Sequence, residues 1–405
     1  MKYKIVFYDV KENKYSINAL LGALEKDFKN FEIGFVEKSQ VDFWLENIEK
    51  DVFYIFCVSF FTTQFFETEA LLKRIKEKIE NVKIIAGGPH ASGDPYSTLK
   101  IGADIVVVGE GEKIFPEIIK RIISGEDVKG IFKGESFVKL DDYFPFSLRF
   151  KRFGPIEISR GCPYGCYFCQ TPRIFGGVMR HRSTEKILDI VKIMNKLNLK
   201  DIRFITPNAF AYGSLTGKDV NLRRLEELLY GIRNIIGDKG RIFFGSFPSE
   251  VRPEHVREEI LELLKTYADN DNLVIGAQSG SQRILDLAHR GHTVEDVYRA
   301  VSLTLRYGLK ANVDFIFGLP YEEERDIEET LKFIEELVKM GARVHAHTFM
   351  PLPGTPFAKF PPGKLEGMYK KIINRLLPKG VIFGNFREQE KVAWEIYNYF
   401  SLREE

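Results

Sequence analysis

The chain has 405 residues, more than one hydrophobic core usually organises, so two domains of about 100 to 200 residues are expected. Hydrophobic residues make up 44% and charged residues 29%, with 34 Phe and 17 Tyr, which excludes a disordered or fibrous chain. Lys plus Arg at 59 against Asp plus Glu at 57 gives a net charge of +2, too weak a field to recruit nucleic acid or a membrane surface by itself. No run approaches the roughly 20 apolar residues that cross a bilayer. Met1 to Val10 alternates Lys with apolar residues and carries no small-residue cleavage site, so a cytoplasmic protein is expected.

Residues 1–125 read as alternating strands and helices. The apolar runs Ile5 to Tyr8, Phe31 to Val36, Val52 to Val58, Lys83 to Ala86 and Ile105 to Val108 are short and rich in Val, Ile and Phe, as strands buried on both faces are. Helical spacing lies between them, as in Ile17, Leu20, Leu21, Leu24 and Phe28, or Leu71, Leu72, Ile75 and Ile79. Five such repeats predict a Rossmann-like parallel sheet whose ligand crevice lies at the carboxyl ends of its strands. Residues 126–152, with Gly130, Gly134, Asp141, Asp142 and Pro145, read as a linker holding one or two short strands.

From residue 153 to 355 the alternation resumes. Strands are expected at Ile156 to Ser159, Ile202 to Thr206, Ile242 to Ser246, Leu273 to Ala277, Ala311 to Phe317 and Val344 to Phe349, with helices between them. Six units of this kind predict a partial (β/α)6 barrel with its chemistry at the carboxyl ends of the strands. Residues 356–405 add helical segments near Leu365 to Leu377 and Lys391 to Tyr399, a small C-terminal cap. The fold class is therefore α/β: a parallel sheet, a partial barrel and a helical extension.

Four Cys are too few for a disulfide scaffold, and Cys162, Cys166 and Cys169 fall within eight residues, in the loop after the first barrel strand. Thiolates are soft ligands for iron, and Gly161, Pro163 and Gly165 let three sulfurs converge on one object. Three thiolates hold three irons of a cubane and leave the fourth iron open, whereas an electron-carrying cluster normally takes four. The alternatives are inert thiols or a closed zinc site, which would need a fourth ligand such as His181.

With CxxxCxxC after strand one of a six-unit barrel, the chain resembles the radical S-adenosylmethionine (SAM) enzymes. Gly276 to Ser281 followed by His289 to Thr293 is similar to that family's fourth-strand motif, Asp314 to Glu322 to its fifth, and Phe349 to Pro356 to its sixth. The likeness covers about 200 residues, each piece at the carboxyl end of a separate expected strand. It implies a 4Fe-4S cluster on Cys162, Cys166 and Cys169, whose open iron is chelated by SAM. It also implies SAM contacts from Phe168, beside the cluster, and from Asn208. Gln278 and Ser279 would bond the ribose or the methionine carboxylate, and Ile316 and Phe317 would flank adenine. The Thr206 to Phe210 loop lacks the acidic residues of the family's GGE-like motif.

In the N-terminal half, Gly87, Gly88, Pro89 and His90 follow the fourth strand, and Gly109, Glu110, Gly111 and Glu112 the fifth. Glycines at adjacent strand ends leave backbone amides open to a large ligand, and the arrangement resembles the cobalamin-binding domains fused to radical SAM enzymes. Ser59, Thr62 and Thr63 would face the same crevice. The Asp9 to Lys14 loop has no DxHxxG, so no His there ligates cobalt from below, and His90 is the alternative. Methylthiotransferases need a second cysteine set in this domain, where the chain offers only Cys57.

The resemblance as a whole is to cobalamin-dependent radical SAM methyltransferases, including archaeal members that methylate a glutamine carbon of methyl-coenzyme M reductase. It implies methyl transfer from methylcobalamin to an unactivated carbon of a protein or small-molecule acceptor. It also implies an external electron donor such as ferredoxin or flavodoxin, no nucleic-acid or membrane partner, and a monomer. Rival readings are a radical SAM enzyme without methyl transfer from cobalamin, and a non-catalytic iron-sulfur redox protein.

Overall fold

The computed structural model describes residues 2–25, 28, 31–134 and 137–401. The chain divides into two compact units. The first is Met1–Gly154 with Arg173–Phe175 and Leu352–Thr355, and the second comprises Pro155–Pro172, Gly176–Pro351 and Pro356–Glu405. Among the described residues no helix is long and apolar enough to cross a membrane.

In the first unit, β1 (Lys2–Tyr8), β2 (Glu32–Val36), β3 (Val52–Ser59), β4 (Val82–Gly87), β5 (Ile105–Val108) and β6 (Gly130–Lys133) form one sheet in the order β2-β1-β3-β4-β5-β6. Every pairing is parallel. Alternation along the strands puts Ile5, Phe7, Ile55, Cys57, Ile85, Ile105 and Val107 on one face. There they pack with Ile17, Leu21 and Leu24 of the Lys14–Leu24 helix and with Phe115, Ile118, Ile119 and Ile122 of the Gly111–Ile123 helix. The intervening Val6, Phe56, Ile84 and Val106 are fully buried as well, so both faces are covered, and each such side chain contributes about 1.5–3 kcal/mol by leaving water. The sixth strand is one of the short strands expected within the 126–152 linker. Its residues pair with β5 from Ile105↔Gly130 to Val108↔Lys133, and none is fully buried, as suits an edge strand.

In the second unit the expected six strands are present as β7 (Ile156–Glu157), β10 (Asp201–Ile205), β11 (Arg241–Phe243), β12 (Asn272–Gln278), β13 (Lys310–Phe317) and β14 (Arg343–Thr348). The orders β11-β10-β7 and β12-β13-β14-β15 are both parallel, β15 being Ile382–Phe383, a two-residue strand too short to show a period. The arcs meet where Val274 N donates to Gly245 O at 3.0 Å and Val251 bridges Ile275. Helices Thr184–Lys196, Leu222–Ile236 and Val294–Arg306 start on Ser183, Asn221 and Thr293, whose side chains accept from the backbone amides of Lys186, Arg224 and Asp296. The C-terminal helices are Gly367–Leu376 and Phe386–Ser401.

One more pair, β8 (Ser159–Arg160) and β9 (Arg180–His181), is antiparallel and closes the base of the cysteine loop. Along β13 and β14, Ala311, Val313, Phe315, Phe317, Val344 and Ala346 are fully buried on one face. The other face carries Asn312, Asp314, Ile316, His345 and His347.

Candidate functional site

Register between Ser159↔His181 and Arg160↔Arg180 pins both ends of the loop that carries Cys162, Cys166 and Cys169. Glu157 clamps Arg160 through two bonds of 2.8 and 2.6 Å, and Cys162 N donates to Gly176 O at 3.1 Å. Cys169 N donates to Cys166 O, which folds the two thiols into one turn. His181 does not complete a zinc site: Ser159 Oγ meets its Nδ1 at 2.7 Å and Ser214 O its Nε2 at 2.9 Å. Three thiols free of disulfide, and no fourth protein donor from His181, fit a cluster with one open iron. Burial pushes the Cys169 thiol up to about 11, so metal must displace its proton.

Arg290 is the residue that sequence reasoning passed over. It is buried, its Nη1 donates to Cys166 Sγ at 3.6 Å and its Nη2 to Gly276 O at 2.8 Å, while its Nε has no partner among the described residues. A buried guanidinium directed at a cysteine sulfur suits a negatively charged cluster. Arg252 supports it, donating to Arg290 O at 2.6 Å with its guanidinium 3.4 Å from the Tyr164 ring centre. Gly276 is small of necessity, since a Cβ there would lie 2.5 Å from Arg290 Nη2 and 3.0 Å from Gln278 Nε2. The signal available was an Arg within the His289 to Thr293 motif, but nothing in the sequence marks it as buried.

The remaining SAM candidates separate by geometry. Phe168 and Ile316 are partly buried beside Tyr167 against Ile284, Ala288, Leu319, Phe349 and Phe357, one apolar wall near the cysteines. Gln278 sits at a bulge between β12 and β13 with φ of 76°, a conformation costly for a non-glycine residue and one that clusters at functional sites. Asn208, Ser279 and Phe317 are turned into the fold. Asn208 Nδ2 meets His255 Nδ1 at 2.8 Å, Ser279 Oγ meets Thr330 Oγ1 at 3.2 Å, and Phe317 packs on Tyr369 with ring centres 4.7 Å apart. Each is nearly inaccessible, so its visible work is structural.

In the first unit the strand order reverses between β1 and β3, which places the ligand crevice at their carboxyl ends. Asn13 ties those ends together, its Nδ2 donating to Tyr8 O at 3.1 Å and Ser59 O at 2.8 Å, while Ser59 Oγ is bonded to Ser16 Oγ. Thr63 is exposed, and Gly87, Gly88, Pro89, Gly109 and Gly111 are partly exposed, a rim of backbone open to a ligand. Thr62, Glu110 and His90 turn inward instead. Glu110 is buried and accepts from Val138 N at 2.8 Å. His90 is wholly buried, Nδ1 at 3.1 Å from Thr62 Oγ1 and Nε2 at 3.0 Å from Ser97 Oγ, with Phe60 stacked on its ring, so neither nitrogen is presented as a cobalt ligand.

Two expectations arise here. Gly88 has φ of 94° and a Cβ there would lie 2.7 Å from Phe60 N, so Gly88→Leu should disrupt the unit itself. Gly87 has only Val107 O within reach, at 3.7 Å, so Gly87→Leu should fill the crevice, reducing cobalamin absorbance without loss of cluster iron. Unchanged cobalamin content would place the cofactor elsewhere. Burial lowers the His90 pKa from 6.5 to about 4. The folded state thus resists protonation more than the unfolded chain, and the stability this provides is complete above pH 6.5 and lost as pH falls towards 4, by about 3 kcal/mol. Urea midpoints between pH 7 and 4 should follow that slope, and His90→Phe should flatten it.

Comparison with known proteins agrees with this division. The B12 binding domain family matches residues 12–119 and the radical SAM superfamily matches residues 156–334. An uncharacterized methyltransferase of Pyrococcus horikoshii is 28% identical over 322 residues, covering 73% of this chain and 66% of its own length. A putative methylthiotransferase of Methanocaldococcus jannaschii is 31% identical over 250 residues, covering 58% and 53%. The radical S-adenosylmethionine methyltransferase TsrM of Kitasatospora setae, solved with cobalamin and a 4Fe-4S cluster bound, superposes with a TM-score of 0.68 at 18% identity over 88% of this chain and 77% of its own. The B12 match lies in the first unit with the glycine rim, and the radical SAM match, apart from Arg173–Phe175, lies in the second with the three thiols, so the chain joins a cobalamin-binding domain to a radical SAM domain, with a 4Fe-4S cluster, SAM and cobalamin as its cofactors.

Proposed function

We propose that this chain is a methyltransferase that places a methyl group on an unactivated carbon of its acceptor. The observation that carries the reading is the conjunction, in one chain, of a three-thiol loop with a buried cation at its sulfur and a B12-matched sheet with an open glycine rim. When bound, the cluster with SAM supplies hydrogen abstraction, and cobalamin supplies the methyl group. Cys162, Cys166 and Cys169 hold the cluster, and Arg290 compensates its charge. Phe168 and Ile316 wall off water, and Gln278 presents its amide near Gly276. Thr63, Gly87, Gly88, Pro89, Gly109 and Gly111 line the cobalamin rim, with Ser59, Thr62, His90 and Glu110 holding its loops in place.

The methyltransferase name of the Pyrococcus horikoshii relative supports the activity. The methylthio alternative requires further cluster ligands, and the first unit has only Cys57, buried in its core. Resemblance to archaeal members that act on methyl-coenzyme M reductase makes a glutamine of that enzyme the first acceptor to test. With SAM, cobalamin and a reductant such as reduced flavodoxin, 5'-deoxyadenosine and S-adenosylhomocysteine should form together with a methylated acceptor. Deoxyadenosine without S-adenosylhomocysteine would sink methyl transfer, and neither product would sink radical catalysis.

A further inference from the structure

The inner face of the second unit carries a group of three residues to which no role with the cluster, SAM or cobalamin is assigned above. Asp314 on β13 and His345 and His347 on β14 each offer one ligand atom, and these atoms lie within 4.8 Å of one another. We propose that Asp314, His345 and His347 form a binding site for a divalent transition-metal cation, separate from the cysteine cluster.

Local structure makes the grouping. Residues two apart on a strand share a face, so His345 and His347 project together, and register sets Asp314 directly opposite His345. His345 Nδ1 is 2.9 Å from Asp314 Oδ1, and the imidazole rings of His345 and His347 are 4.3 Å apart. Phe383 stacks on the His345 ring at 4.9 Å, and Gln389 Nε2 reaches His347 Nδ1 at 3.4 Å, so outer contacts orient both imidazoles. Metal bonds of about 2.0–2.2 Å need ligand atoms about 3.4 Å apart, a closure of roughly 1.4 Å, within the reach of side-chain torsions.

The surroundings favour a cation. Gly276 is in register with Asp314 on the other side and adds no side chain there. Two imidazoles with one carboxylate suit zinc, iron(II) or their neighbours rather than magnesium or calcium, which prefer oxygen. Three protein ligands leave a position for water or an oxygen donor.

The test uses holoenzyme loaded with cluster and cobalamin, titrated anaerobically with Zn2+ against a chromogenic chelator and counted by elemental analysis after gel filtration. Wild type should retain about one zinc ion per chain, as one three-ligand point allows. His345→Ala, His347→Ala and Asp314→Ala should each weaken binding by more than about a hundredfold, beyond the loss that outer-shell changes produce. Unchanged cluster and cobalamin absorbance shows that a variant is folded, and the zinc K-edge spectrum of wild type should show imidazole scattering. A wild type that retains no zinc, or equal zinc in all three variants, overturns the assignment.

Discussion

Single replacement of Cys162, Cys166 or Cys169 by Ala is expected to abolish the 4Fe-4S absorbance and all cleavage of SAM. The loop offers no substitute ligand: His181 is held by Ser159 and Ser214, and the fourth cysteine, Cys57, belongs to the core of the other unit. Two thiolates cannot hold a cubane against loss of iron, so the effect should be all or none rather than graded. Cys57→Ala is the control. Burial pushes the Cys57 thiol far up, so it is inert and acts as a small apolar filler whose truncation costs about 1 kcal/mol. Iron and acid-labile sulfide analysis with quantified 5'-deoxyadenosine separates the cases, and full cluster content in any one of the three loop variants would refute the ligand set.

The parts of this molecule legible in its sequence are those dictated by local pattern. Strands such as β3 and β13 are runs of Val, Ile and Phe bounded by loops, and each of the six barrel strands announced itself in this way. The cysteines were legible because soft ligands at fixed spacing have few other uses. What escaped was decided by distant partners. Strand β15 exists because β14 offers it an edge; it carries no periodicity of its own. His90 followed a glycine pair and read as a cofactor contact, with cobalt ligation only an alternative, but Thr62 and Ser97, 28 residues before it and 7 after, claim both of its nitrogens. Ser279 and Phe317 lie in the expected motifs, but Ser279 is bonded to Thr330 and the alternation of β13 puts Phe317 on the buried face, against Tyr369, contacts that sequence alone does not reveal. Burial of a charge is likewise invisible in sequence, so Arg290 gave no sign of its place until its neighbours were known.

Arg290→Met should leave the cluster assembled but slow reductive cleavage of SAM by about 10- to 100-fold, the usual effect of removing a partner just outside a metal's ligands. Its guanidinium brings a full positive charge within hydrogen-bond range of the Cys166 sulfur, in a site from which water is excluded. Hydrogen bonds to sulfur and nearby positive charge stabilise the reduced, more negative cluster, so their loss moves the midpoint potential to more negative values. The same change strands two neighbours: Gly276 O loses its donor at the bulge, and Glu250 loses the cation that opposes its protonation, so the Glu250 carboxyl should rise further. Arg290→Lys keeps the charge but not the two-armed geometry that spans Cys166 and Gly276, and should recover the potential more fully than the rate. Redox titration followed by electron paramagnetic resonance, beside single-turnover formation of 5'-deoxyadenosine, distinguishes this from simple destabilisation, which would lower cluster occupancy instead. A Met variant with unaltered potential and rate would reduce Arg290 to a packing residue, and the buried cation at the cluster would then need another explanation.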